Sequence, residues 1–591
     1  LYKAQNTFTQ NSFGVWTFAN LDSLDRGVAR RFEVGAPVPQ GGDPIARFTA
    51  ATYSLYAQDL WNVTDRLSIT AGFRADWVDF QDQPFALPRL QGDFGRSGAL
   101  PSMRLHASPR IGFNWDVTGD QKNQVRGGVG VFMGPPSFVF MSNTFTNTGN
   151  NFSQLVCDPI TNRGTTVPSP TGNYVTTTPP PRCPSGQEIA AFNPNGTVGT
   201  VNTVSDDIRF PQVARATLGY DRDLGNDWVA TIEGTYTYGV NDFFYTNLNQ
   251  ATPTTTDRNG RTMYGTIAAT GTSAGVASRA AGRIGTYVGQ ENGVFDARNV
   301  SGAWSALLMT QLRKRFNNGW EINGSYTYQQ ARSVIDATSS VARSNFINGR
   351  VLSGNSLDTQ LGVSAFQMPH RFVLTGTYTA PWKTAPTDIA FNYTLQSGTP
   401  VVWTATGNGG RGDLNADGYV GNDPIYVPRT ATDAGEMLFQ NASFFVPSVG
   451  ASRPFTAAEQ AAAFERFVSG QACLRNARGQ ILERNVCSNP WWSTLDVSIR
   501  QGLPAVAGQR VQLQLEVFNL PNLLNSRWGK IRTRGAFPSQ SVLNVVGAQN
   551  DAQGRPQMVY TFDPRDADET FRVTNSVANF YRIQAGIRFA F

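Results

Sequence analysis

Strict alternation of apolar and polar positions runs through most of this chain. In the stretch around Leu67–Trp77, Leu67, Ile69, Ala71, Phe73, Ala75 and Trp77 fall on one parity. Arg66, Ser68, Thr70, Gly72, Arg74 and Asp76 fall on the other. Successive side chains of a β-strand point to opposite faces, so each such run predicts a strand with one greasy and one wet face. The last residues repeat the pattern: Tyr581, Ile583, Ala585, Ile587, Phe589 and Phe591 against Arg582, Gln584, Gly586, Arg588 and Ala590. For one strand alone, the edge of a soluble sandwich explains the pattern as well as a membrane strand does.

The runs come in pairs. A strand near 49–61 turns at "NVTD" into the run at 67–77, and "SPRIGFNWDV" turns at "TGDQKN" into "QVRGGVGVFM". "VARATLGYDRD" turns at "LGND" into "WVATIEGTYTYG", and "WSALLMTQLRKRF" turns at "NNG" into "WEINGSYTYQQ". "HRFVLTGTYTAPW" leads to "DIAFNYTLQSG", and "STLDVSIRQ" leads to "RVQLQLEVFNL". Within pairs the turns are short and rich in Gly, Asn or Asp, as hairpins require. Between pairs the connections are long, near 81–107, 134–212, 249–303, 336–369, 405–492 and 521–578. Such loops are uncommon in compact soluble domains but expected of an outer-membrane barrel, whose periplasmic turns are short and outer loops long. The prediction is an all-β, transmembrane antiparallel β-barrel. Thirteen strands are clear, and a fourteenth is expected around Ser12–Ala19, "SFGVWTFA".

Aromatic placement and composition agree. Trp61, Trp77, Trp115, Trp228, Trp304, Trp320 and Trp382 lie near strand ends, where an interfacial belt favours a ring with one polar atom. Arg66, Arg74, Arg110, Asp116, Arg126 and Glu233 lie on the wet parity and so are expected to line a hydrated lumen. Charged residues make up only 16% of the chain, below the soluble average of about 25%. No apolar run is long enough for a membrane helix, which leaves a barrel open. The net charge of +6 is spread over scattered Arg, not gathered on one element as nucleic-acid binding requires. Two histidines, His106 and His370, leave little material for acid–base or zinc chemistry. No enzyme motif is present, and no catalytic residue is assigned. The chain opens on Leu1 without a leader-like stretch and reads as a mature product or a fragment.

These residues resemble a known family. "YSLYAQDLWNVTDRLSITAGFRADW", "SPRIGFNWDV" with "VRGGVGVFMG", "MPHRFVLTGTY", "GDLNADGYVGNDPIYVPR", "RGQILERNVCSNPWWSTLDVSIRQ" and "LQLEVFNLPNLLN" are similar to the barrel of TonB-dependent outer-membrane receptors, most of all the Oar-like branch. The resemblance runs from about residue 12 to Phe591. It implies a barrel of roughly 22 strands filled by a plug, in the bacterial outer membrane. It also implies energised uptake of a large, scarce nutrient through the TonB complex. No plug and no TonB-binding box is seen, so residues 1–591 read as an N-terminally truncated receptor-like barrel domain holding about fourteen C-terminal strands. Tyr581, Phe589 and Phe591 resemble the signal read by the barrel-assembly machinery. Other partners expected are outer-membrane lipid and a nutrient ligand taken by the loops. The rivals are a passive porin, a surface adhesin or scaffold, and a soluble carbohydrate-binding sandwich.

The loops carry further motifs. Cys157, Cys183, Cys473 and Cys487 form an even set on an oxidising route. Three pairings are open, and the local one, Cys157–Cys183 with Cys473–Cys487, is favoured. "DLNADGYVGNDP" resembles the start of a calcium loop. Asp413, Asn415 and Asp417 take the first ligand positions, Gly418 the turn and Tyr419 a carbonyl; Asp423 stands in for the absent Glu. Ca2+ is the sole cofactor candidate; an Asx-rich turn is the plainer reading. The tripeptide Arg411-Gly412-Asp413 invites an adhesion reading. "TAAEQAAAFERFVSGQ" predicts a loop helix with a capping box from Thr456 to Glu459. "TTTPPPRCPSG" is Pro-rich and expected to be extended or mobile.

Overall fold

The computed structural model describes the chain apart from residues 8, 10, 39, 42, 86, 103, 160–164, 171–178, 254, 288–292, 350–356, 381, 383–384, 447, 505–509, 535–539, 575 and 591. Phe591 thus lies outside the described residues, as do residues 176–178 of the Pro-rich stretch at 176–186. Fourteen strands build one antiparallel ladder: β1 (Tyr2–Thr7), β2 (Ile45–Thr64), β3 (Leu67–Phe80), β4 (Arg104–Asp116), β5 (Asn123–Met133), β6 (Gln212–Gly225), β7 (Trp228–Asn247), β8 (Trp304–Arg315), β9 (Trp320–Ser333), β10 (His370–Thr379), β11 (Thr387–Gln396), β12 (Trp492–Gly502), β13 (Arg510–Phe518) and β14 (Arg582–Ala590). Each pairs with the next in sequence. Short strands Val201–Val204, Val294–Val300 and Gly362–Val363 add to it at the end away from the tight turns.

The tight turns follow the chemistry of their residues. Between β6 and β7, Asn226 and Asp227 both adopt positive φ, 51° and 62°. That geometry matches the twist of a two-residue hairpin and suits Asn and Asp better than branched residues.

Cross-strand registers identify the inner face. Val78 and Phe80 continue the parity of Arg74 and Asp76 on β3, and Phe243 and Tyr245 lie on the upper part of β7. These residues meet Phe48, Phe138, Phe210, Phe295 and Phe346 in one buried cluster. Strands far apart in the ladder can share a cluster only if the sheet curls around it, so the parity of Arg74 faces inward. The opposite parity, with Leu218, Ile232, Leu308, Leu312, Phe372, Leu374, Leu513, Leu515, Ile583 and Ile587, is exposed and apolar on the outside. The lower sheet therefore buries little. The packed cores sit above it, in a cap built from the long connections. Two strands are exposed at every residue along the lower ladder: β2 from Thr52 to Thr64, and β14 throughout. They are its lateral edges.

The expected strand at Ser12–Ala19 is corrected. Val15–Thr17 does form a strand, but it pairs with Arg31–Pro37, which pairs in turn with Phe152–Cys157, in a small sheet of the cap. The fourteenth strand of the ladder is Tyr2–Thr7, paired with the upper end of β2. Trp16 explains the choice: it is half-buried against Phe32, 4.6 Å between ring centroids, and its indole N–H donates to the Pro168 carbonyl at 2.9 Å.

Candidate functional site

Two regions can act on a solute, the inner face and the cap. On the inner face, Arg126 of β5 donates from Nε to Asp221 of β6 at 2.9 Å and pairs through Nη1 with Glu233 of β7 at 2.6 Å. Arg74 pairs with Asp76 at 2.8 Å, and the Ser54 hydroxyl donates to the same carboxylate at 2.6 Å. Such a belt of ions is stable where water reaches it and costly where it does not. His106 sits at the upper rim, buried, its Nε2 accepting from the Phe210 amide at 3.0 Å. His370 contacts the Tyr326 hydroxyl at 2.8 Å.

The largest core of the cap gathers residues from 401 to 562. Helix Ala457–Gly470 opens with the capping box of Thr456 and Glu459. It buries Phe464 and Phe467 against Phe562, at ring-centroid distances of 5.1 and 5.5 Å. Beside it, Trp403–Gly407 pairs parallel with Gln540–Asn550, which pairs antiparallel with Pro556–Thr561, which pairs parallel with Leu438–Phe439. Cys473 and Cys487 are bonded across 14 residues at the end of this helical segment, and Cys157 and Cys183 across 26 residues beside Phe32.

The acidic loop is buried in the cap. Asp413, Asn415, Asp417, Tyr419 and Asp423 are all withdrawn from water. Asp413 accepts from the amides of Asp417 and Gly418 at 3.2 and 2.8 Å, Asp417 from the Tyr419 amide at 2.9 Å, and Asp423 from the Leu414 amide at 2.7 Å. Arg261 stands 3.6 Å from Asp423. Among the described residues, no three His, Cys, Asp or Glu side chains gather as a ready metal-binding set. Burial, and then the Asp423 charge, push the Asp413 carboxyl up to about 7; burial, and then Asp413 and Asp423, push Asp417 well above the usual range. Raised carboxyls bind protons more tightly in the folded state than in the unfolded chain, so the folded cap loses stability as pH rises from about 4 to about 7. Without added cations, thermal melts at pH 5 are expected to lie above those at pH 8, and Asp417→Asn is expected to narrow the gap.

The same burial bears on the adhesion tripeptide. Asp413 is 4% exposed, and the Arg411 guanidinium donates to the carbonyls of Ala274 and Thr272 at 2.8 and 3.0 Å. The tripeptide is built into the cap rather than displayed.

Tyr581, just before β14, and Ile583, Ile587 and Phe589 on it are exposed, the last three on its outward face. They continue the apolar surface of β13 through Val517↔Ile583 and Leu513↔Ile587.

Residues 2–529 match the model of the outer membrane beta barrel domain. The chain belongs to that family. It is therefore a bacterial outer-membrane barrel, with its tight turns toward the periplasm and its cap outside the cell. No curated protein matches it. Among solved structures it is similar to the outer membrane transporter YddB of Escherichia coli, at 10% identity and TM-score 0.39, covering 88% of this chain and 44% of that one. The ferric enterobactin receptor PfeA of Pseudomonas aeruginosa, a G324V mutant, gives 8% identity and TM-score 0.38 over 95% of this chain and 50% of that one. The ferric preacinetobactin receptor BauA of Acinetobacter baumannii gives 10% and 0.35 over 83% and 41%. The outer-membrane barrel thus spans about half the length of these structures or less.

Proposed function

We propose that this barrel is the membrane part of a TonB-dependent receptor, which captures a large, scarce nutrient in its external cap and passes it through a hydrated lumen when a plug moves. The observation that carries the reading is the division of labour along the strands. The lower sheet is apolar outside and ion-paired inside, while nearly all packing lies in the cap. A structure that only needed to span the membrane has no use for so large an ordered cap. The exposed lateral edges β2 and β14 support a ring of roughly 22 strands, as large transporters of this kind have, with this chain supplying fourteen and the plug lying elsewhere in the protein. Contact with the TonB complex belongs to that other part, and recognition by the barrel-assembly machinery to β14. The Oar-like branch is part of the same proposal.

Deletion of the gene is expected to abolish uptake of the nutrient, and collapse of the inner-membrane proton gradient to stop uptake in the intact strain. A permanently open conductance from the full-length protein in planar bilayers favours a passive porin instead.

A Ca2+ ion in the 413–423 loop is the second part of the proposal. It is supported by three carboxylates taken out of water, of which Asp413 and Asp417 are raised by burial and by their acidic neighbours, while Arg261 stands beside Asp423. Oxygen-rich loops of this kind suit a hard cation. Added Ca2+ is expected to raise the melting point of the cap by roughly 5 °C at pH 8. Asp413→Asn with Asp417→Asn should remove that rise, while an equal rise in the double variant contradicts the site.

A further inference from the structure

We infer that a cavity in the cap binds a small monocarboxylate with an apolar body, its carboxylate held by Arg258. The inference goes beyond the proposed capture role: it adds to the cap a second, smaller ligand, distinct from the large nutrient. The cavity is about 260 Å3, close to the volume of nine waters at ~30 Å3 each. It lies where three parts of the cap meet: the hairpins near 255–279, the strand Tyr426–Val427 with the turn after it, and the strand Pro556–Thr561.

Its apolar lining comes from Met263, Ile267, Met437 and Met558. Three of the chain's eight methionines therefore face one small space. Unbranched thioethers adapt to irregular apolar ligands and make favourable contacts with aromatic rings.

The polar lining is neutralised at every charge but one. Arg261 is engaged by Asp423 at 3.6 Å and Asp257 at 3.9 Å, and Arg555 by Asp551 at 3.1 Å. Glu436 accepts from the Tyr426 hydroxyl at 2.7 Å and from Arg429 at 2.8 Å. Arg258 donates from Nη2 to the Gly435 carbonyl. Its Nη1 is buried without a hydrogen bond, and among the described residues no carboxylate pairs with it. A half-buried guanidinium with one nitrogen withdrawn from water and unbonded offers a donor suited to a carboxylate. One unmatched cation beside an apolar hollow selects one anionic group on an apolar body.

The test is isothermal titration of the detergent-solubilised full chain with 3-phenylpropionate and, separately, with its uncharged amide. The acid is expected to bind at least about tenfold more tightly than the amide. Arg258→Gln should bring the acid down to the affinity of the amide, and Met558→Trp should fill the hollow and weaken both. Circular dichroism and intact disulfides check that each variant folds. No binding of either compound, equal binding of the two, or a preference for the acid that survives Arg258→Gln overturns the inference. These outcomes do not depend on uptake, so a failed transport assay with acid-selective binding faults the transport proposal alone, and the reverse faults this site alone.

Discussion

Phe464→Ala is expected to loosen the cap by about 3–5 kcal/mol, the usual cost of removing a fully buried phenylalanine from a core that cannot collapse around the gap. Phe464 has no exposed surface. It stacks with Phe467 at 5.7 Å and meets Phe439 and Phe562 at 5.8 and 5.1 Å. Phe467 is held by the helix, Phe439 by strand pairing, and Phe562 by its amide donating to the Gln460 side chain at 3.0 Å, so little can move in. The measurement is hydrogen exchange over residues 457–470 with both disulfides intact. Exchange is expected to accelerate at least about a hundredfold in that segment, while the amides of β8 and β9 stay unchanged. Phe445→Ala, at a ring 55% exposed, should leave exchange nearly as it was. A rate change shared by the whole ladder would contradict the separation of cap and membrane sheet.

The second large effect lies in the ladder. Leu308 and Met309 are neighbours on β8. Leu308 pairs across to Gly234 and Tyr328 on the outer face, and Met309 to Glu233 and Thr327 on the inner one. Leu308→Arg places a guanidinium in hydrocarbon near mid-membrane and is expected to cost about 2–4 kcal/mol. Met309→Arg places the same group beside Glu233 in a wet lumen, and is expected to cost well under 1 kcal/mol. Urea unfolding of protein inserted in lipid vesicles reads both. Equal costs, or a larger cost at Met309, would show that the faces have been exchanged.

The ladder was legible in the sequence because a period of two survives wherever one face meets lipid and the other water. Thirteen of its strands follow from that period and from the Gly, Asn and Asp turns. The fourteenth did not, because alternation in "SFGVWTFA" fixes a strand but not its partner. Trp16 found Phe32 and the Pro168 carbonyl in the cap instead of a place in the ladder. The cap strands at 540–561 were also unread. Parallel pairing of Trp403–Gly407 with Gln540–Asn550 joins segments far apart in the chain, and no local pattern announces it. By contrast, the helix at 457–470 was legible, since a capping box is written in four consecutive residues. The acidic loop showed its Asp and Asn spacing, but its burial and the approach of Arg261 come from tertiary contacts. The same holds for Arg258, whose isolation depends on which arginines other loops have already matched.

Spin-label accessibility in lipid bilayers tests the central claim most directly. Labels are placed at Leu312 and at Gln311, adjacent on β8, where Leu312 lies outward and Gln311 donates to Asn323 on the inner face at 2.8 Å. Because the four native cysteines are bonded, each introduced thiol is the sole labelling site. The account predicts that dissolved oxygen, concentrated in hydrocarbon, relaxes the label at 312, and that a water-soluble nickel chelate relaxes the label at 311. Chelate access at 312, or a label at 311 shielded from both, would contradict a hydrated cylinder with a lipid-facing exterior.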